Sequence, residues 1–291
     1  MVTVACIPAY NVEKVIFPVV KEIFNYVDKV IVCNDGSTDQ TAKKAEEADA
    51  IVISHEKNSG KGAALKSLFN YVKKINYDIL VTIDGDGQFL PEEIPKLTAP
   101  IKKNESDVVI GYRFEDDSEM PRYRKFGNKV LDKMTSAASE LPFKDTQSGF
   151  RAYSKKAIDK IKFFSEGFAA DSEILVSASK QKLRILEEKV TVKYDTGSKT
   201  STQNPVTHST DVIAKLIELI AVKSPLKFLG IPGTILVIIG LVYSGIVISI
   251  FNQSGYFSIP SSLIALGSFV LGIVMVLVSV MLVAMNILMR R

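Results

Sequence analysis

The segment Thr82–Phe89 reads TIDGDGQF and sets Asp84, Asp86 and Gln88 at alternate positions directly after the apolar run Ile79-Leu80-Val81. Side chains at i, i+2 and i+4 of an extended segment point to one side. The spacing therefore predicts three oxygen-bearing groups aimed at one point where a buried strand ends. Hard oxygen donors suit Mg²⁺ or Mn²⁺, and Mg²⁺ is typically held by one or two carboxylates together with substrate phosphates. Such an ion would neutralise charge on a departing diphosphate. A calcium loop opening at Asp84 is excluded, because its sixth and twelfth positions would be Phe89 and Pro95 where Gly and Glu are needed. A solvated Asp-Gly turn is the plain alternative.

The elements that must position these groups follow from hydrophobic periodicity. VTVACI, VIVCN, AIVIS, DILVTI and DVVIGY read as strands that are apolar throughout, as strands buried on both faces are. Between them VEKVIFPVVKEIFNYV, DQTAKKAEEA and GKGAALKSLFNYVKKI read as helices, so the pattern predicts βαβ units and a mostly parallel sheet. Ligands bind such sheets outside the carboxyl ends of the strands. PAYN, NDGSTD and DGDGQ fall there, with Ser37, Thr38 or Asp39 as cap candidates for the second helix. PRYRKFGNKVLDKMTSAAS reads as a basic amphipathic helix and LRILEEKVTVKY as a strand. No GxxxxGK[ST] occurs, and Gly60-Lys61-Gly62 lacks the third glycine of a dinucleotide fingerprint.

Composition divides the chain. The net charge is a mild +4, and no basic stretch interleaved with aromatics argues for nucleic acid. Cys6 and Cys33 sit in apolar runs and read as buried reduced thiols. From Phe228 to Met289 there is no Asp, Glu, Lys or Arg. Two spans, 228–251 and 263–289, each exceed the about 20 residues that cross a bilayer as a helix. Lys223 and Lys227 precede the first span, Arg290 and Arg291 follow the second, and the loop between has no basic residue. The positive-inside rule puts both ends in the cytoplasm. The chain opens on the strand-like VTVACIP rather than a signal peptide, which leaves the first domain cytoplasmic. Residues 211–223 carry an apolar helical face that suits either an interfacial helix or core packing. The expected division is a globular domain at 1–205, an interfacial helix at 206–226 and two transmembrane helices within 227–291. Gly240 with Ser244 and Gly245 with Ser249 have small-xxx-small spacing, which permits helix packing or a homo-oligomer. His55 and His208 read as isolated and structural.

In order, IPAYN with Glu13, NDGSTDQT, NSGKGAAL, DGDGQF and DTQSGFRAYS resemble family 2 of the glycosyltransferases, and within it the dolichyl-phosphate mannose synthase and polyprenyl-phosphate glycosyltransferase branch. The resemblance spans roughly Val4 to Lys199 and implies a GT-A fold, Rossmann-like with a mostly parallel sheet. It implies that Pro8, Tyr10, Glu13 and Asp35 line a nucleoside pocket, with Lys61 and Asp84 also on the nucleotide. Asp84 and Asp86 match the metal and diphosphate pair, and Gln88 a further metal ligand. Asp145 matches a carboxylate beside the donor sugar. Arg113, with Arg122 or Arg124, matches basic residues that receive the acceptor phosphate. Lys199 matches the lysine of a glycine-x-serine-lysine pattern whose spacer and upstream arginine are absent here.

The resemblance further implies inverting transfer of a hexose from a nucleotide sugar to dolichyl or polyprenyl phosphate, with Asp86, Asp145 and Arg113 at the chemistry and Mg²⁺ or Mn²⁺ as cofactor. The stretch GSKTSTQNPVTH favours UDP-glucose or UDP-N-acetylglucosamine, with GDP-mannose second. A phosphate monoester is mostly dianionic at neutral pH, so such an acceptor needs orientation more than a general base. A transferase with a sugar or protein acceptor, and a catalytically silent sugar-nucleotide-binding subunit, are the alternatives.

Overall fold

Alternation along the first strand sets up the layers. In β1 (Thr3–Ala9), Ala5, Ile7 and Ala9 enter one apolar layer and Val4 and Cys6 the other. β2 (Lys29–Asn34) repeats this with Val30 and Val32 against Ile31 and Cys33. A strand buried on both faces must be covered by helices on both faces. α1 (Ile16–Ile23) supplies Ile16, Val19, Val20 and Ile23 to the first layer at i, i+3, i+4 and i+7. α3 (Lys61–Val72) supplies Leu65, Leu68, Phe69 and Val72 to the second.

The computed structural model describes residues 1–113, 131–136, 138–139, 141–167, 169–193 and 225–288. The remaining elements of the first unit are α2 (Thr41–Glu47), β3 (Ile51–Ser54), β4 (Ile79–Thr82), α4 (Ile94–Lys102), β5 (Val108–Tyr112), β6 (Arg151–Ser154), α5 (Lys155–Lys160), α6 (Ala169–Lys180) and β7 (Ile185–Lys189). They build a seven-stranded sheet in the order β3-β2-β1-β4-β6-β5-β7. All pairings are parallel except those of β6, which runs antiparallel to both β4 and β5. The mostly parallel α/β architecture is the one the sequence predicts, with β6 as an unforeseen reversal. That reversal brings the start of β6 to the carboxyl end of β4, with Thr82 opposite Arg151. The two cysteines are free and buried, and burial pushes both thiols up, Cys33 to about 12.

Two sequence expectations need correction. The strand that precedes TIDGDGQF ends at Thr82, so Asp84, Asp86 and Gln88 lie on a turn and not on an extended segment. Gly87 takes φ +75°, and the Gln88 amide folds back onto Asp86 Oδ1 at 3.0 Å. The cap of α2 also differs: the N-cap position is Gln40, whose side chain makes no capping bond. Asp39 does that work from one residue earlier, accepting the Thr41 amide at 2.9 Å as well as the Thr41 hydroxyl. The basic helix expected at 121–139 lies outside the described residues up to 130, and its described remainder is helical.

The chain forms two compact units, Met1–Leu216 and Ile217–Arg291. The second unit holds α7 (Ile231–Ser254), entered through a π-helical turn at Leu226–Gly230, and α8 (Ile259–Leu288). Both helices are long and apolar enough to cross a membrane, and few of their side chains are buried. The connection is shorter than expected, because Gly255 closes α7 at φ +66° with its amide on Phe251 O at 2.9 Å. The helices touch where side chains vanish. A Cβ on Gly240 would stand 2.7 Å from the Phe269 amide nitrogen, and one on Gly272 would stand 2.7 Å from Gly233 O. Gly245 faces open space, so of the two small-residue pairs only the one at Gly240 lies where α7 meets α8. Most of the expected interfacial helix, up to residue 224, lies outside the described residues.

Candidate active site

The carboxyl ends of β1 and β2 carry the first group of candidates. Asp35 follows β2 and is buried, with its amide on Ala9 O at 2.8 Å. Its Oδ1 accepts the Ser59 amide at 3.0 Å and lies 2.7 Å from His55 Nδ1, and its Oδ2 accepts the Gly60 amide at 2.8 Å. Gly36, next in sequence, takes φ +66° where a Cβ would overlap the Lys57 backbone. Glu13 accepts the Gln40 amide at 3.0 Å while its own amide donates to Asp39 at 3.2 Å. Asn11 similarly clasps Thr38, its Oδ1 accepting the Thr38 amide at 2.8 Å. The first two βα loops are thus one hydrogen-bonded unit, with Pro8 and Tyr10 half-buried at its edge. His55 is not isolated as its sequence setting suggests: it bridges Asp35 to the Ser67 hydroxyl, 2.8 Å from its Nε2.

The turn after β4 is the second group. Gly85 is packed against Ile7, so the turn cannot drift from β1. A Cβ at Gly149 would overlap the Asp84 carboxylate, so only glycine leaves Asp84 its place. The Asp86 carboxyl is pushed up to about 6, by burial first and by the charge of Asp84 second, against pulls from the Gln88 amide, Lys61 and Arg113. Two carboxylates in each other's field leave the turn short of positive charge.

Lys61 answers part of that shortfall. Its ammonium is 2.9 Å from Asp84 Oδ1 and 3.2 Å from Asp171 Oδ2, with the side chain 13% exposed. Burial works against the charged form, but Asp171 and Asp84 outweigh it and hold the ammonium well above the usual lysine range. The approach depends on glycines. A Cβ on Gly60 would meet Glu166 O at 2.6 Å, and one on Gly62 would overlap Ser165 O. The loop before α6 therefore lies directly on the start of α3 and carries Asp171 to Lys61. Behind Asp171 stands the fully buried Arg151, whose Nη1 donates to Asp171 O at 2.9 Å and whose Nη2 donates to Thr146 O at 2.7 Å. Sequence reasoning missed Asp171, Arg151 and Gly149. The G-x-G around Lys61 was the available signal for close approach.

The third group lies on the segment before β6. Asp145 is fully buried and pairs with Arg113 at the end of β5, Nε to Oδ2 at 2.7 Å and Nη2 to Oδ1 at 2.9 Å. Glu187 on β7 accepts the Lys144 amide at 2.8 Å and the Asp145 amide at 3.3 Å. Asp132 accepts both the amide and the hydroxyl of Thr146 at 2.7 Å. Burial pushes the Asp132 carboxyl up to about 7 despite those bonds, with the charge of Asp145 adding to the rise.

The structure brings Asp84, Asp86, Lys61, Arg113 and Asp145 into one electrostatic neighbourhood, since Asp86 feels Asp84, Lys61 and Arg113 and Arg113 holds Asp145. Arg122, Arg124, Lys199 and His208 lie outside the described residues. The donor set fits a hard divalent cation. Lys61 already stands at Asp84 as a cation, and Gly149 leaves the carboxylate clear. Among the described residues no three His, Cys, Asp or Glu side chains cluster to hold an ion. Asp84 and Asp86 do not make a closed protein cage, and they match the one or two carboxylates with which Mg²⁺ is typically held.

Comparison with known proteins identifies the family and the fold. A protein of Methanococcus voltae, UDP-N-acetylglucosamine–dolichyl-phosphate N-acetylglucosaminyltransferase, is 35% identical over 65% of this chain and 84% of its own length. The dolichol-phosphate mannosyltransferase of Pyrococcus furiosus is 30% identical over 61% of this chain and 53% of its own. Glucosyl-3-phosphoglycerate synthase from Mycobacterium tuberculosis, solved with Mn²⁺, UDP and phosphoglyceric acid, superposes with a TM-score of 0.58 at 21% identity, over 75% of this chain and 78% of that one. The fold is that of the GT-A glycosyltransferases. Residues 4–162 match the profile of glycosyl transferase family 2, and the chain belongs to that family.

Proposed function

We propose that this protein transfers a hexose, with inversion, from a nucleotide sugar to dolichyl or polyprenyl phosphate at the cytoplasmic face of a membrane. UDP-N-acetylglucosamine or UDP-glucose is the preferred donor. The observation that carries the reading is the shared field of the Asp84–Asp86 turn, Lys61 and the Arg113–Asp145 pair at the carboxyl edge of the sheet. The similarity to the Methanococcus voltae enzyme supports both the lipid-phosphate acceptor and the uridine donor.

Each residue has a task in this reading. Asp35, set by Ser59, Gly60 and His55, meets the nucleobase, and the Glu13–Asp39 clasp keeps the loops around it closed. Asp84 and Asp86, with Gln88, would hold a divalent cation, which when bound neutralises charge on the departing diphosphate. Lys61 adds a positive charge to the site, within reach of both Asp84 and Asp171. Asp145 locks the guanidinium of Arg113 in the plane needed to orient an incoming phosphate, with Arg122 or Arg124 as a second anchor. The acceptor is already an anion, so positioning and electrostatics supply the acceleration and no side chain has to remove a proton. The two long apolar helices tether the globular unit to the membrane that holds its acceptor, and the lysines before and arginines after them support a cytoplasmic position for both ends.

The test is direct. Purified full-length protein is incubated with dolichyl phosphate and one sugar nucleotide at a time, with Mg²⁺, Mn²⁺ or EDTA, and lipid products are read by mass spectrometry. The expected result is one hexosyl-lipid phosphate, made from a UDP-sugar and lost with EDTA. Product from GDP-mannose alone would move the donor to the mannose reading. Release of free nucleoside diphosphate without any lipid product would overturn the acceptor.

A further inference from the structure

Lys61 has two carboxylate partners that differ in what fixes them. Asp84 sits on the turn after β4 and faces Asp86, whereas Asp171 sits in the first turn of α6, 4% exposed at its side chain. Asp171 is held from behind by the buried Arg151, which donates to its carbonyl at 2.9 Å and keeps Nη1 3.7 Å from Oδ1. Arg151 is in turn anchored on Thr146 O at 2.7 Å. None of these contacts involves Asp84 or Asp86. The ammonium therefore touches two seats at once, and the one at Asp171 is built independently of the turn that carries Asp84. A dication at Asp84 and Asp86 and an ammonium 2.9 Å from Asp84 cannot share that carboxylate without repulsion.

We propose that Lys61 is an exchangeable internal cation: it neutralises Asp84 while no divalent ion is bound, and Asp171 takes it over when the ion arrives. Asp171 is then a positioning residue that keeps the ammonium charged and inside the site, and Arg151 fixes Asp171 for that purpose. The inference rests on the proposed metal site at Asp84 and Asp86. It implies that the ion binds weakly to the free protein and firmly once a diphosphate adds ligands and negative charge.

The experiment measures Mn²⁺ binding to the full-length protein in detergent by the loss of the free-ion electron paramagnetic resonance signal, with and without UDP. Lys61→Met is expected to bind Mn²⁺ about tenfold or more tightly than wild type in the absence of UDP. Asp171→Asn is expected to bind it several-fold more weakly, because Lys61 is left with Asp84 alone. Equal or weaker binding by Lys61→Met overturns the exchange. If Lys61→Met does not fold by circular dichroism, Asp171→Asn decides, and wild-type affinity there overturns it. Asp86→Ala separates the two levels of the argument. If it keeps wild-type Mn²⁺ affinity with UDP present, the metal site itself is wrong and the exchange falls with it. If it abolishes binding while Lys61→Met gains nothing, the site stands and only the exchange is wrong.

Discussion

Arg113 meets Asp145 edge to edge, with Nε to Oδ2 at 2.7 Å and Nη2 to Oδ1 at 2.9 Å, and the Arg113 amide donates to the same carboxylate at 3.2 Å. The family resemblance assigns these two residues to different ligands, yet they form one rigid unit joining β5 to the segment before β6. A planar fork of this kind is not replaced by a lysine point charge. Removing one partner of a buried pair costs about 3–5 kcal/mol. Arg113→Lys and Asp145→Asn are both expected to lower turnover by about 10²-fold through lost orientation, with a lowered Tm. Steady-state kinetics and thermal unfolding in detergent check this. A variant that raises only the donor KM would place the pair in nucleotide binding instead.

Gly149 leaves room for the Asp84 carboxylate, which a Cβ there would overlap. Gly149→Ala is expected to displace Asp84 and remove Mn²⁺ binding and transfer, with a Tm loss small beside that of a core truncation of about 2–5 kcal/mol. Isothermal titration and differential scanning fluorimetry separate the two effects. Wild-type Mn²⁺ affinity in Gly149→Ala would contradict the placement.

Asp132 makes stability depend on pH. Its carboxyl titrates at about 7 in the fold and at about 3.9 in an unfolded chain. Between those values the native state carries a proton that the unfolded state lacks, so stability falls as pH rises through the window and levels off above it. Asn retains the Oδ1 acceptor for Thr146 and never carries the charge. Asp132→Asn should therefore match wild type near the lower end of the window and exceed it above pH 7, by at most roughly 4 kcal/mol. Melting curves of both proteins across the range test this. Parallel profiles would refute it.

His55 orients Asp35 from behind while Ser67 holds its other nitrogen. His55→Ala leaves the two backbone donors to Asp35 in place and removes only the lateral support. The expected effect is a weakening of UDP binding by about tenfold, comparable to loss of an outer-shell orienting partner, with turnover at saturating donor nearly unchanged. An unchanged UDP affinity would make His55 purely structural.

Where local pattern and global fold coincide, the sequence was a sufficient guide. β1, β2 and β4 are apolar on both faces because both faces are covered, and their ends carry the predicted polar groups. Strand alternation was expected to aim Asp84, Asp86 and Gln88 at one point; the strand ends at Thr82 instead, and a turn shaped by Gly87 and the Gln88 amide puts Asp86 in the field of Asp84. β6 went unread because RAYS is too short to show a period. Asp171 and Arg151 were invisible for a different reason. Each is an ordinary charged residue in sequence, and only the antiparallel return of the chain brings them behind Lys61.

That return also makes the chain between Asp145 and Arg151 a ruler. β6 is hydrogen-bonded on both sides, to β4 and to β5, so its register is clamped twice, with Thr82 and Ile110 both opposite Arg151. Side chains alternate with period two, and a one-residue slip would turn the buried Arg151 into the opposite layer. The same slip would draw Gly149 off Asp84 and Asp145 off Arg113. A substitution in this short step strikes one pairing at a time, whereas an insertion or deletion within it breaks all of them at once.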